Sequence, residues 1–189
     1  MGFSSVRFRV VLLAAMLAGC KGRSMVGQTA APSRARTNSA ITRGAIHVAT
    51  QRMTIHGQSG LSVDDVKRTR DWFTPELYTL LMHDMSYPGD IGYLNWDPFT
   101  AAQDETGPFR YDSFFRAGDT VMVSFSRDDS DHKRYIFVRL AMRYVNGAWR
   151  IGNFIYPENS VCHTDLARGL ARYAKEVATK SFNTGVCSD

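Results

Sequence analysis

The chain has 189 residues and carries 23 Lys and Arg against 18 Asp and Glu, a formal charge of +5, which fits one domain with some sequence to spare. Its basic residues are scattered along the chain, which excludes a nucleic-acid-binding stripe. Three cysteines beside 44% hydrophobic residues describe a protein held together by a core and not by a framework of disulfides.

At the N-terminus Arg7 and Arg9 precede nine apolar residues, Val10 to Ala18, and small residues lead on to Cys20. That is the layout of an export signal. A bilayer-spanning helix needs about 20 apolar residues, so the run does not make a permanent span. The tetrad Leu17-Ala18-Gly19-Cys20 resembles the lipobox of bacterial lipoproteins. The resemblance implies cleavage before Cys20, a diacylglycerol anchor on its thiol and, because Lys21 rather than aspartate follows, residence at the periplasmic face of the outer membrane. Residues 1–19 are therefore expected to be a signal peptide. Their removal takes away Arg7 and Arg9, leaving a charge of 5 − 2 = +3 on 189 − 19 = 170 residues. Residues 20–40 are rich in small and polar types and read as a flexible tether, with residues 41–189 as the domain. With Cys20 consumed by lipid, Cys162 and Cys187 are left as a pair in an oxidising compartment, where a disulfide between them is expected.

Past the tether, Ile41, Ala45, Val48, Ala49 and Met53 fall on one helical face, with Gly57 as a stop. A second helix is expected over VDDVKRTRDWF, capped by Ser62 and with Asp64 and Asp65 at the positive end of its dipole. A third starts with Thr74 as N-cap and Pro75 in the first turn, and buries Leu77, Leu80, Leu81 and Met85. The stretch from Ser86 to Asp112 then holds six aromatic residues, three prolines and three glycines and keeps no period at all. A loop of that length inside a small domain points to a functional role.

Beyond the loop the period becomes two. Val121, Val123 and Phe125 alternate with Met122, Ser124 and Ser126 in a half-buried strand, and DDSDHK turns the chain. Asn146-Gly147 then marks a two-residue type I′ hairpin. Its register sets Val145 opposite Ala148, Tyr144 opposite Trp149, Met142 opposite Ile151, Leu140 opposite Asn153 and Val138 opposite Ile155. The other face pairs Arg143 with Arg150, Arg139 with Phe154 and Phe137 with Tyr156, and the two arginines need an acidic group or water between them. Leu166, Leu170, Tyr173 and Val177 make the buried stripe of a last helix.

Helices followed by antiparallel strands give an α+β class, with helices packed on a curved antiparallel sheet and a C-terminal helix. Together, WFTPELYTLL, DPFTAAQD, TVMVSFSR and AWRIGNFIY resemble the uncharacterised bacterial envelope lipoproteins whose domain has the cone-shaped fold of the nuclear-transport-factor-2 type, also called cystatin-like. The resemblance covers roughly residues 41–157 and implies that fold, with a pocket between helices and sheet. It implies no reaction. Related envelope proteins tend to carry an acid in the last strand, where this chain has Gly152 and Asn153.

The residues themselves supply little chemistry. His47, His56, His83, His132 and His163 show no i, i+4 pair and no neighbouring cysteine pair, so no metal site and no cofactor are expected. Asp128 to His132 has the carboxylates of a calcium loop without its glycine or terminal glutamate, and reads as a solvated hairpin tip. Nothing pairs a nucleophile with a base, so no catalytic residue is assigned. The candidate ligand or partner residues are Tyr93, Trp96, Asp97, Gln103 and Asp104 of the loop, with Trp149 and Asn153 of the last strand. Asp97 has a plainer role open to it, bonding N–H groups of its own turn. Asn153, among apolar neighbours, needs a partner such as Asp97 or Asp104. These features favour a non-catalytic, lipid-anchored binding or accessory protein with an envelope protein as partner. The alternatives are a binder of, or enzyme on, a small apolar ligand in the cone, and an immunity or inhibitor protein directed at a cell-wall hydrolase.

Overall fold

The computed structural model describes residues 34–56, 62–86, 92–94, 96–101, 108–128, 131–157 and 165–179. In chain order they form helix α1 (Arg34–His56), helix α2 (Val63–Arg68), a 3-10 turn (Arg70–Trp72), helix α3 (Pro75–Met85), strands β1 (Arg110–Ala117), β2 (Thr120–Asp128), β3 (Arg134–Val145) and β4 (Ala148–Ile155), and helix α4 (Leu166–Thr179). The four strands make one antiparallel sheet in the order β1-β2-β3-β4, so the class is α+β with a C-terminal helix.

α1 starts at Arg34, inside the stretch expected to be tether. Arginine and alanine there are good helix formers, but no apolar period marks them. The buried face is also rotated from the expected one. Thr42, Ala45, Ala49, Arg52 and Met53 are buried, while Ile41 remains 40% exposed. α1 lies across β2, β3 and β4. It approaches so closely that a Cβ added at Gly44 would sit 3.0 Å from the Trp149 indole nitrogen.

The next two helices begin as their sequences dictate. Ser62 Oγ accepts the Asp65 N–H and Asp65 Oδ2 accepts the Ser62 N–H, both at 3.1 Å, a reciprocal capping box. The Thr74 hydroxyl accepts the Leu77 N–H, Pro75 opens α3, and Leu77 and Leu81 are fully buried. The helix expected over VDDVKRTRDWF is shorter than its sequence suggested. After Arg68 the chain tightens into the 3-10 turn, then Phe73 extends to form a parallel bridge with Ile151 of β4, and the Thr74 N–H donates to the Ile151 carbonyl at 2.9 Å.

At the β3-β4 turn both central residues have positive φ, 51° at Asn146 and 81° at Gly147, as type I′ requires. The expected register holds from Val145–Ala148 to Met142–Ile151 and then slips. Gly152 is an extra residue on β4, so Ala141 faces Asn153, Leu140 faces Phe154 and Arg139 faces Ile155. The expected pairs beyond Ile151 are thereby overturned. A one-residue slip exchanges faces, and Phe154 enters the core at the place expected for Asn153. Similar shifts leave Phe137 extra on β3 opposite β2 and Asp112 extra on β1. Each such bulge bends its strand and strengthens the local twist.

β1 lies where the sequence reading placed the end of the loop and unassigned chain. Its residues are exposed except for the half-buried Asp112, so burial imprints no alternation on it. The core itself is continuous. Val121, Val123, Phe125, Val138, Leu140, Met142, Ile151 and Phe154 of the sheet meet Ala45, Ala49, Met53, Leu77, Leu81, Leu166 and Leu170 of the helices. Tyr173 and Val177, expected in the buried stripe of α4, are only partly covered.

Candidate functional site

The aromatic loop is organised from two carboxylates. Asp84, buried in the last turn of α3, accepts the N–H groups of Tyr93 at 2.7 Å and Leu94 at 2.9 Å, one with each oxygen. Gly92 permits this, since a Cβ there would lie 2.9 Å from Asp84 Oδ2. Asp97 holds the next turn. Its Oδ1 accepts the Phe99 N–H at 2.8 Å and its carbonyl accepts the N–H groups of Thr100 and Ala101. This is the plainer role open to Asp97. Burial is the main cause that pushes its carboxyl up to about 6, opposed by the N–H groups of Phe99 and Thr100.

These anchors drive aromatic side chains inward. Phe99 is fully buried, edge-on to Phe154 at 4.9 Å between ring centres and to Trp72 at 6.3 Å. The Tyr93 ring packs at a tilt, 5.9 Å between centres, against both Trp96 and Tyr173 of α4. Burial is again the leading cause that pushes the Tyr93 phenol up to about 12, with Asp84 and Asp165 adding to it and Arg172 opposing. The Tyr156 hydroxyl donates to the Pro98 carbonyl at 3.0 Å, and burial raises its pKa far above the usual phenol range. Arg127 clamps the loop from the sheet, donating to the Thr100 carbonyl at 3.3 Å and lying over the rings of Tyr135 and Phe137. The described residues of the loop thus pack into the core at one end of the sheet.

The expected constellation is not assembled as one site. Trp149 lies at the hairpin end of β4, beside Tyr144 and α1, whereas the loop meets Tyr156 just past the other end. Tyr156 lies seven positions beyond Trp149, roughly 23 Å of extended strand. Asn153 does not turn to Asp97. Its Nδ2 donates to Asp165 at 2.7 Å, and its Oδ1 accepts the Ala167 and Phe154 N–H groups at 2.9 Å. Asp165 in turn accepts the Arg168 N–H at 2.9 Å, so the pair secures the start of α4. The bulge at Gly152 is the reason, because it gives the core position expected for Asn153 to Phe154. Gln103, Asp104, Cys20, Cys162 and Cys187 lie outside the described residues.

Sequence reasoning missed two buried charged residues, Asp84 and Arg52. Arg52 of α1 donates to the carbonyls of Trp72 and, at 2.9 Å, Trp149, tying helix, turn and strand together. Burial, followed by Arg150 nearby, lowers its pKa to about 10, with Asp71 partly offsetting them. Asp71 also supplies the acid that the Arg143–Arg150 cross-strand pair was expected to need, 3.3 Å from Arg150. An arginine on a largely polar helix gives no sign in sequence that it will be buried. At the hairpin tip, Asp128 is held by Arg110 at 2.6 Å. No group of three or more potential metal ligands occurs among the described residues, and no described helix is long and apolar enough to cross a membrane.

No protein-family model, curated protein or solved structure matches this chain.

Proposed function

We propose that the chain is a lipid-anchored, non-catalytic binding or accessory protein of the bacterial envelope, attached through Cys20 to the periplasmic face of the outer membrane and built on a cone-shaped, cystatin-like domain. The observation that carries the non-catalytic reading is where the candidate polar groups are spent. Asp97 bonds its own turn and Asn153 bonds the start of α4, so both act within the fold. The cone is supported by three bulges that bend strands of a sheet packed against helices. The anchor is supported by Arg7, Arg9, the short apolar run and Leu17-Ala18-Gly19-Cys20.

Metabolic labelling with a fatty-acid probe tests the anchor. Wild type should take up label and Cys20→Ser should not, and the variant should accumulate as uncleaved precursor. Lipid on the Cys20→Ser chain would overturn the assignment. Recovery of the wild-type chain from crosslinked envelopes addresses the role: a stoichiometric protein partner agrees with it, and a co-purifying small molecule with no protein partner opposes it.

A further inference from the structure

The two edges of the sheet are treated differently. β4 is covered twice, by the Phe73–Ile151 bridge with its Thr74 hydrogen bond and by the Asp165–Ile155 bridge. β1, among the described residues, pairs only with β2. It also carries three of the exposed large hydrophobic side chains, Tyr111 at 38%, Phe114 at 46% and Phe115 at 48%. A free edge with aromatic side chains is a template for another strand. We infer that β1 pairs antiparallel with β1 of a second copy of this chain, about a two-fold axis at Phe114.

The hairpin fixes which backbone groups are free. Ala117 and Thr120 close a two-residue turn with Gly118 at φ 63°, so they form a hydrogen-bonded pair. Pair types alternate along an antiparallel ladder, so Phe115 and Ser113 also bond toward β2. Phe114 and Arg116 therefore direct their N–H and C=O groups outward. Only registers that pair outward residues with one another are open to a second β1. Shifted one way, with Tyr111 and Asp112 sharing one position, the register sets Phe114 against the bulge and Arg116 against Phe109 of the other copy. Shifted the other way, it sets Phe114 against Arg116. Centred, it sets Phe114 against Phe114 and Arg116 against the bulge.

The centred register alone sets Phe114 on Phe114 at the axis and brings Arg116 to the bulge. Arg116 has only the Gly118 carbonyl, at 3.4 Å, as partner among the described residues. The bulge presents Tyr111 and Asp112 together at one position of the strand, and that is the position Arg116 of the second copy meets. The guanidinium then finds the phenol ring of Tyr111 on its own, helix-bearing face, while Asp112, 3.0 Å from Arg134, stands on the other. Tyr111, Phe114 and Arg116 lie opposite Phe125, Val123 and Val121, so both aromatic rings and the cation stand on one face and the patch is self-complementary. The inference uses only β1 and holds with or without the lipid anchor.

Cysteines added one at a time to the full chain, beside its native Cys20, Cys162 and Cys187, read the register directly, because each shift brings a different residue onto the axis. Phe114→Cys should shift to twice the chain's mass on a non-reducing gel after mild oxidation, as paired Cα atoms about 5.5 Å apart suit a disulfide. Ser113→Cys and Phe115→Cys, the axial residues of the two shifted registers, should stay at wild-type background. All three sites are exposed, and unchanged circular dichroism verifies the fold. Dimer at 113 or 115 instead of 114, dimer at none of the three, or an adduct of the Phe114→Cys chain with a mass other than twice the chain would each overturn the inference. Phe114→Asp should also abolish concentration-dependent sedimentation of the wild type, and its persistence would count equally against it.

Discussion

Asp97 is half-buried for the sake of its turn, and that has a consequence in pH. Its carboxyl titrates near 4 in the unfolded chain and about 6 in the fold, chiefly because burial disfavours the charge. Between those values the folded state holds the extra proton. Its contribution to stability is therefore present in full below about pH 4 and is lost as pH rises through 6. Asparagine keeps an Oδ1 acceptor for the Phe99 N–H and carries no charge. Asp97→Asn should match wild type near pH 4 and exceed it at pH 7, by on the order of 2 kcal/mol. Thermal melts of both proteins across this range test it, and a difference independent of pH would remove Asp97 as the cause.

Between elements, the tightest approach is that of α4 to the loop. A Cβ built on Gly169 would intrude on the hydroxyl and ring of Tyr93. Alanine at a helix-interior glycine normally stabilises by about 1 kcal/mol. Here overpacking should outweigh that, and Gly169→Ala should lower stability by roughly 1–3 kcal/mol. In a Tyr93→Leu background the cost should shrink, which a double-mutant cycle in denaturant measures; equal costs in both backgrounds would separate Gly169 from the loop. Contacts of this kind explain what sequence could convey. Ser62, Thr74-Pro75 and Asn146-Gly147 were legible because caps and turns are local chemistry. The register beyond Ile151 was not, because a glycine in a strand does not announce whether it pairs or bulges. β1 escaped notice because an edge strand is held by its ladder rather than by burial, so Phe114 and Phe115 stand adjacent with no alternation. Of the candidate site, the separation of Trp149 and Asn153 from Asp97 was not legible. That separation depends on the bulge and on Asp165, which nothing in the local sequence links to Asn153.

At the scale of the molecule, β4 is the well-secured side of the sheet, and α4 is its last support. Asp165 bridges Ile155, Asn153 bonds the first turn, and Leu166 and Leu170 enter the core, while the helix loses burial toward Thr179. A disulfide between Cys162 and Cys187 would close the chain around this helix. Its reach is sufficient. α4 has 14 residues, about 21 Å at 1.5 Å per residue. Cys187 follows Thr179 by eight residues, up to about 28 Å of extended chain, and Cys162 precedes Leu166 by four. The return path is shorter than the chain available. Because it would constrain the unfolded chain, it should contribute on the order of 3 kcal/mol, less any strain. Non-reducing peptide mapping of protein secreted into an oxidising compartment should recover the two cysteines as one linked pair, and Cys162→Ser should lower the thermal midpoint about as much as Cys187→Ser or the double substitution. Free thiols at both positions, or serine effects that add instead of coinciding, would show that α4 is held by Asp165, Asn153 and its buried leucines without the bridge.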